Sequence, residues 1–261
     1  MPELPEVEYA AGILRRAAVG RTIERVRVLH DAQRRHLPNT EARRLEGARI
    51  LAVERRAKYQ LVTTSEGILL VHFRMNGDWH VGRTDTGLPP HARVVFDLDD
   101  GSRIALTDSR ALGSIARYDS RDDVPLPALG PEATDAAFSA SQLREALRTR
   151  RGPIKPALLD QRIVAGLGNI YAAEALWNAR ISPTAVANRL SLARAARLID
   201  GARQALADAH RDPGRYARAE STERLHVYGR EGEPCERCRV AIRRIVQAGR
   251  STFYCPRCQR V

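Results

Sequence analysis

All four cysteines of this 261-residue chain fall in its last 27 positions, as Cys235-x2-Cys238, sixteen residues, then Cys255-x2-Cys258. Two such turns brought together set four thiolates at the corners of a tetrahedron, the geometry a structural Zn2+ prefers. Two disulfides would need an oxidising compartment, and iron–sulfur clusters use other ligand spacings, so one zinc ion is the expected occupant. Four thiolates leave no open coordination position, which argues against catalysis at the metal. Between the pairs, residues 241–246 and 251–254 alternate like two strands with 247–250 as their turn. The segment therefore reads as a zinc ribbon, and a turn carrying Arg250 is well placed to meet a phosphate.

Upstream, the apolar periodicity changes in kind near residue 130. Val7, Ala10, Ala11, Leu14 and Ala18 have helical spacing that ends at Gly20, which predicts a short opening helix. From 22 to 117 the period falls to two, with β-rich runs at 23–28, 50–53, 59–63, 68–73, 94–98 and 104–107, and Asp99-Asp100-Gly101 as a hairpin turn. Half a dozen or more strands predict a β-sandwich or barrel. Residues 122–131 hold three prolines and a glycine and read as a linker. Beyond them the pattern is helical: 139–149 opens on Ser139 with Gln142 three residues later, and 190–209 is a long Ala- and Leu-rich helix. The expected class is α+β and multidomain, with parts at 1–128, 129–225 and 226–261.

Charge separates the same halves. The chain carries +12 at neutral pH, of which residues 1–134 hold +1 and 135–261 hold +11. An arginine-rich genome accounts for the identity of many of these residues but not for their asymmetry. A polyanion, nucleic acid first, is the expected partner of the second half. Only two of the 43 basic residues are lysines, Lys58 and Lys155, which hints at roles that a planar guanidinium fills poorly. No run of about 18 uncharged apolar residues occurs, and the acidic start MPELPEVE is unlike a secretory leader. We expect no membrane partner and a cytoplasmic location.

Pro2 follows the initiator methionine, in a context where that methionine is commonly removed, so the mature chain would begin with a secondary amine. An α-amine titrates near 8, leaving a useful fraction unprotonated to attack an aldehydic sugar carbon. Glu3 and Glu6 lie within a turn of it and could move protons at the same sugar. The same residues also suit a plain helix start with acids at its positive end, and local chemistry alone favours that reading.

Five motifs bring a resemblance. They are Pro2-Glu3-Leu4-Pro5-Glu6-Val7-Glu8, Arg56-Ala57-Lys58-Tyr59, His72-x-x-Met75-x-Gly77, Gly166-x-Gly168-Asn169-Ile170-Tyr171-x-x-Glu174, and Arg250-Ser251-Thr252-x-Tyr254-Cys255-Pro256-x-Cys258-Gln259. Together they resemble the formamidopyrimidine-DNA glycosylase and endonuclease VIII family, in order from residue 2 to 259, and the PELPE form is closer to the formamidopyrimidine branch. The resemblance implies an N-terminal helix with a β-sandwich, a helix-two-turn-helix domain and a zinc finger, with duplex DNA across the cleft between the halves. It further implies a monomer that excises damaged bases in base excision repair and associates with the bacterial nucleoid through DNA. The imino group of Pro2 would attack C1′, Glu3 would protonate the deoxyribose ring oxygen with Glu6 in support, and β- then δ-elimination would cut the strand. Lys58, His72, Asn169 and Arg250 would hold phosphates of the bent strand, with Lys155 and Tyr171 in supporting positions. His72 also reads as an ordinary histidine ending an apolar strand, and Lys155 as either structural or phosphate-facing.

Two stretches depart from the family pattern. A wedge of three side chains fills the hole left by the extruded nucleotide, and Met75 and Arg110 match two of them. The third is usually Phe in Asp-Pro-Arg-Arg-Phe-Gly, whereas this chain reads Asp108-Ser109-Arg110-Ala111-Leu112-Gly113, and Leu112 fills volume without aromatic stacking. The segment 211–224, expected to cover a flipped oxidised purine, is arginine-rich and has no Phe. Oxidised purines are the expected lesions, with oxidised pyrimidines or bulkier adducts as the alternative. A non-catalytic DNA-binding protein is a further one, though it would have no need of Pro2, Glu3 and Glu6 together.

Overall fold

A computed structural model describes residues 1–211 and 225–261 of the chain. The expected base-covering segment 211–224 lies outside the described residues, apart from Arg211. The chain forms two compact units, Met1–Leu126 and Pro127–Val261.

The first unit opens with α1 (Leu4–Ala18), three residues earlier than its apolar spacing predicts. The early start has a local cause: Pro5, with its φ preset for a first turn, and buried Leu4 carry the helix and its buried face ahead of Val7. Leu4, Val7, Ala10, Ala11, Leu14 and Ala18 form that stripe and pack on the sandwich. Its strands are β1 (Ile23–Val28), β2 (Ile50–Arg56), β3 (Tyr59–Thr64), β4 (Gly67–His72), β5 (Asp78–Arg83), β6 (Ala92–Leu98), β7 (Ser102–Thr107) and β8 (Ser114–Tyr118). The short helices α2 (Asp31–Arg34) and α3 (Asn39–Arg44) follow β1. The strands make two antiparallel four-stranded sheets, ordered β1-β6-β7-β5 and β2-β3-β4-β8. Val7, Leu14, Val62, Val71, Phe96, Leu106 and Ile115 share one core.

In β5 the apolar alternation is limited to Trp79 and Val81, and β8 carries none that would announce it. Each is an edge strand and each buries a single side chain, Trp79 and Ile115, so period two is lost among polar residues.

The second unit contains α4 (Ala140–Leu147), α5 (Ile154–Leu158), α6 (Asn169–Asn178) and α7 (Leu192–Arg211), then β9 (Arg243–Gln247) and β10 (Arg250–Tyr254). Ser139 caps α4 as expected and forms a capping box with Gln142. α6 is buried from Ile170 to Trp177. α7 crosses it closely at Gly201, where a Cβ would stand 2.6 Å from the Ala175 carbonyl oxygen. In the ribbon, Gln247 pairs with Arg250, leaving the two-residue turn Ala248-Gly249 with φ of 47° and 70°. Both positive values match the twist of a tight hairpin. Arg250 is therefore the first residue of a strand and not part of the turn. Among the described residues no helix is long and apolar enough to cross a membrane.

Candidate functional site

In the first unit the chemistry-bearing residues gather at the start of α1. Glu3 is its N-cap and only 2% exposed, and Glu6 accepts the Glu3 amide at 2.8 Å. Met1 is half exposed. The first turns are tied down from the sheet. Buried Gln60 donates from Nε2 to the Val7 carbonyl at 3.1 Å while its Oε1 accepts the Trp79 indole at 2.7 Å. Glu8 takes Arg15 at 2.6 Å and Arg55 at 2.7 Å. Burial works against the Glu8 charge, but the two guanidiniums outweigh it and hold its carboxyl below the usual range. Gln60 and Glu8 were not singled out from the sequence; they act by holding α1.

Lys58 sits with Ala57 in the two-residue turn between β2 and β3, where Ala57 has φ of 53°. The next residue, Tyr59, pairs with His72 across β3 and β4, and their rings meet edge-on at 4.6 Å. Burial, with the charges of Arg74 and Lys58 adding to it, lowers the His72 pKa to about 4. Its Nδ1 accepts the Arg74 amide at 3.0 Å, so the neutral ring carries its proton on Nε2, ready to donate to an oxyanion.

The three residues expected to form the wedge are exposed: Met75 at 39%, Leu112 at 47%, and Arg110. Their loops are rigidly held. A Cβ at Gly77 would come within 2.8 Å of the Phe73 backbone, so only glycine allows the turn that presents Met75. The other loop is organised by Asp108, 1% exposed, whose Oδ1 accepts the Arg110 amide at 3.0 Å and whose Oδ2 accepts Leu112 and Gly113 at 2.8 and 2.7 Å. Gln33 on α2, fully buried, donates to the Gly113 carbonyl at 2.6 Å. Sequence reasoning passed over Asp108; its one local signal is a carboxylate set ahead of the turn-forming residues Ser109 and Gly113.

In the second unit, Gly168 is the N-cap of α6 and Asn169 its first residue, as the Gly-x-Gly-Asn spacing predicts. A glycine cap puts no side chain in front of that helix end. Asn169 is held by Lys155, which is 1% exposed and donates from Nζ to Asn169 Oδ1 at 2.5 Å, Thr252 Oγ1 at 2.9 Å and the Ser251 carbonyl at 3.2 Å. Asn169 in turn donates to that carbonyl at 3.0 Å. Lys155 thus joins α5, α6 and β10 in the core of the unit. Tyr171 is likewise buried, 1% exposed, while Arg250 is exposed at the start of β10. Glu174, 3% exposed, was quoted within a motif without a role. Its two oxygens accept the amides of His226, Val227 and Tyr228 at 2.8, 3.0 and 2.9 Å and so anchor the loop entering the ribbon.

The four cysteine sulfurs lie within 4.8 Å of one another, with Cys235–Cys258 at 3.9 Å and Cys238–Cys255 at 3.4 Å. Zn–S bonds of 2.3 Å require edges of about 3.8 Å, so the cluster fits one zinc ion. Burial opposes the Cys235 thiolate, but the Trp177 indole and the amides of Arg237 and Cys238 outweigh it and hold this thiol down to about 6. The cysteines pack on Ala173, Trp177, Val227 and Ile242, so the metal would tie the ribbon to α6.

Comparison with known proteins agrees with this anatomy. Family models match residues 1–115 (formamidopyrimidine-DNA glycosylase N-terminal domain), 129–218 (formamidopyrimidine-DNA glycosylase H2TH domain) and 232–261 (zinc finger found in FPG and IleRS). The chain is 42% identical over 273 residues to a formamidopyrimidine-DNA glycosylase of Rhizorhabdus wittichii, covering 100% of both chains. It is 43% identical over 272 residues to that of Chloroflexus aggregans, covering 99% of this chain and 98% of the relative. Among solved structures, wild-type Lactococcus lactis Fpg (MutM) bound to N7-benzyl-Fapy-dG DNA superposes with a TM-score of 0.92 at 32% identity. MutM bound to carbocyclic 8-oxo-G DNA does so with 0.91 at 34%, both matches covering 100% of both chains. With relatives matched end to end and a fold shared at every level, the chain belongs to the formamidopyrimidine-DNA glycosylase family.

Proposed function

We propose that this protein removes oxidised purine bases from duplex DNA and cuts the strand at the resulting abasic site, using the amine of Pro2 as nucleophile. The observation that carries the reading is the start of α1: an N-terminal proline beside a buried N-cap glutamate, on a helix clamped by Gln60 and Glu8. Once Met1 is removed, the Pro2 nitrogen attacks C1′ of the extruded nucleotide, and the glycosidic bond breaks with its electron pair leaving on the base. Glu3 protonates the ring oxygen, the ring opens, and an iminium remains. Loss of a proton from C2′ then expels the 3′ phosphate, and a second elimination expels the 5′ phosphate. Lys58 and the neutral His72 grip phosphates from the first unit, and Asn169 and Arg250 from the second. Met75, Arg110 and Leu112 fill the vacated stack. Zinc, held by Cys235, Cys238, Cys255 and Cys258, shapes the ribbon that presents Arg250.

The oxidised-purine assignment draws on the relatives' name and on the lesions in the related complexes. The exposed, non-aromatic Leu112 favours a weaker hold on the partner strand and a tolerance of other lesions. The same reading includes parts at 1–128, 129–225 and 226–261, a monomer, and action on DNA in the cytoplasm.

Borohydride trapping of the mature protein on duplexes with 8-oxoguanine, an oxidised pyrimidine or an abasic site tests the proposal. A covalent product mapped to Pro2, strongest on 8-oxoguanine, is expected. Binding without trapping on every duplex would leave a DNA-binding protein without turnover.

A further inference from the structure

The second unit holds a pocket of about 500 Å³ walled by Arg180, Arg194, Arg197, Arg257 and Arg260, with Cys258 and Val261 beside them. None of the five guanidiniums makes an ion pair with a described residue; Arg194 and Arg197 donate only to the carbonyls of Arg260 and Ala179, at 3.0 and 3.4 Å. Arg194 and Arg197 stand in the first two turns of α7, a 20-residue helix with no acid in its first turn. Cations there oppose the helix dipole, so the arrangement concentrates positive charge where a fold would ordinarily place negative. Burial and the neighbouring Arg197 charge both disfavour the charged form of Arg194. A four-thiolate zinc at Cys258 carries a net double negative charge and the Val261 carboxylate one more, together less than the five guanidiniums.

The pocket is not the phosphate-binding surface already described. Arg180 follows the C-terminal end of α6, whose ten residues put it about 15 Å along the axis from Asn169. Arg257 and Arg260 follow the C-terminal end of β10, whereas Arg250 is its first residue.

We propose that this five-arginine pocket binds a multivalent phosphate anion at a site separate from the lesion-binding residues. Guanidinium forks match phosphate oxygens two at a time, and the volume suits a small polyanion. No aromatic side chain lines the pocket, so recognition is of phosphate and not of a stacked base. Two sources share this chemistry: the backbone of a second nucleic-acid segment, and a free polyphosphate.

The test uses the full zinc-loaded protein saturated with a short abasic-site hairpin duplex. Tripolyphosphate and a fluorescent undamaged duplex are titrated separately, against wild type and Arg197→Gln/Arg260→Gln. One-to-one binding of tripolyphosphate that persists with the hairpin bound, and weakens at least tenfold in the double variant, is expected; hairpin affinity should stay within twofold. Binding of the second duplex with the same loss assigns the site to nucleic-acid backbone, and tripolyphosphate binding alone assigns it to free polyphosphate. No saturable binding of either probe to hairpin-loaded wild type, or binding unchanged in a double variant that keeps its zinc, would overturn the proposal.

Discussion

Asp108→Asn tests whether the wedge loop is held by one buried carboxylate. In the native protein its two oxygens accept three amides, at 3.0, 2.8 and 2.7 Å. A carboxamide has one oxygen. Facing it toward Leu112 and Gly113 turns its NH2 group against the Arg110 amide, and facing it toward Arg110 strands the other two. At least one charge-assisted hydrogen bond is lost and one amide goes unpaired, together costing about 3 kcal/mol, while the remaining bonds fall to neutral strength. Because Arg110 and Leu112 face solvent, the cheaper response is for the loop to open, so the cost should appear in catalysis more than in folding. At 1.36 kcal/mol per tenfold, excision of 8-oxoguanine from duplex should slow about 100-fold. Cleavage at a preformed abasic site, where no base has to be displaced, should slow less than tenfold. The assay is single-turnover excision and cleavage on the two duplexes, with melting of the zinc-loaded protein as a control for folding. Equal losses on both substrates, or no loss on either, would refute the idea that Asp108 acts by holding the wedge.

Other expectations bear on separate parts of the site. Glu3→Gln should reduce base excision by at least 100-fold and abasic-site cleavage much less, measured by single-turnover rates; equal reductions would argue against Glu3 as the acid. The His72 pKa is lowered from 6.5 to about 4. The unfolded chain therefore binds one more proton between those values, and the stability this histidine contributes is present above pH 6.5 and lost as pH falls toward 4. His72→Gln should flatten stability against pH across that window by about 1.4 kcal/mol per unit, as read by urea unfolding. Cys238→Ala should lose the bound zinc and weaken DNA binding at least tenfold; a variant that retains stoichiometric zinc would contradict the four-thiolate site.

Much of this molecule is legible from residue order because the controlling interactions are local. The zinc pattern, the capping box at Ser139, the glycine cap before Asn169 and the alternation of the central strands depend on neighbours within a few positions. Even the Pro2-Glu3 terminus carries its chemistry in sequence, although only the resemblance separates it from a plain helix start. What stayed hidden depends on partners far along the chain. β5 and β8 are strands because an adjacent strand offers its hydrogen bonds, while their own residues show little apolar alternation. Arg250 moved from turn to strand because the backbone of Ala248 takes a left-handed conformation that its residue type does not announce.

The sequence by itself determined the order of the parts and the four metal ligands, since these follow from residue identity and short spacing. Tertiary structure alone decided that Lys155 is buried beneath Asn169 and that Asp108 and Glu174 organise loops through backbone amides. It also decided that five arginines from three separate stretches meet at one pocket. The reason is physical: a buried charge takes its meaning from the groups that surround it in space, and those groups are brought together only when the chain folds.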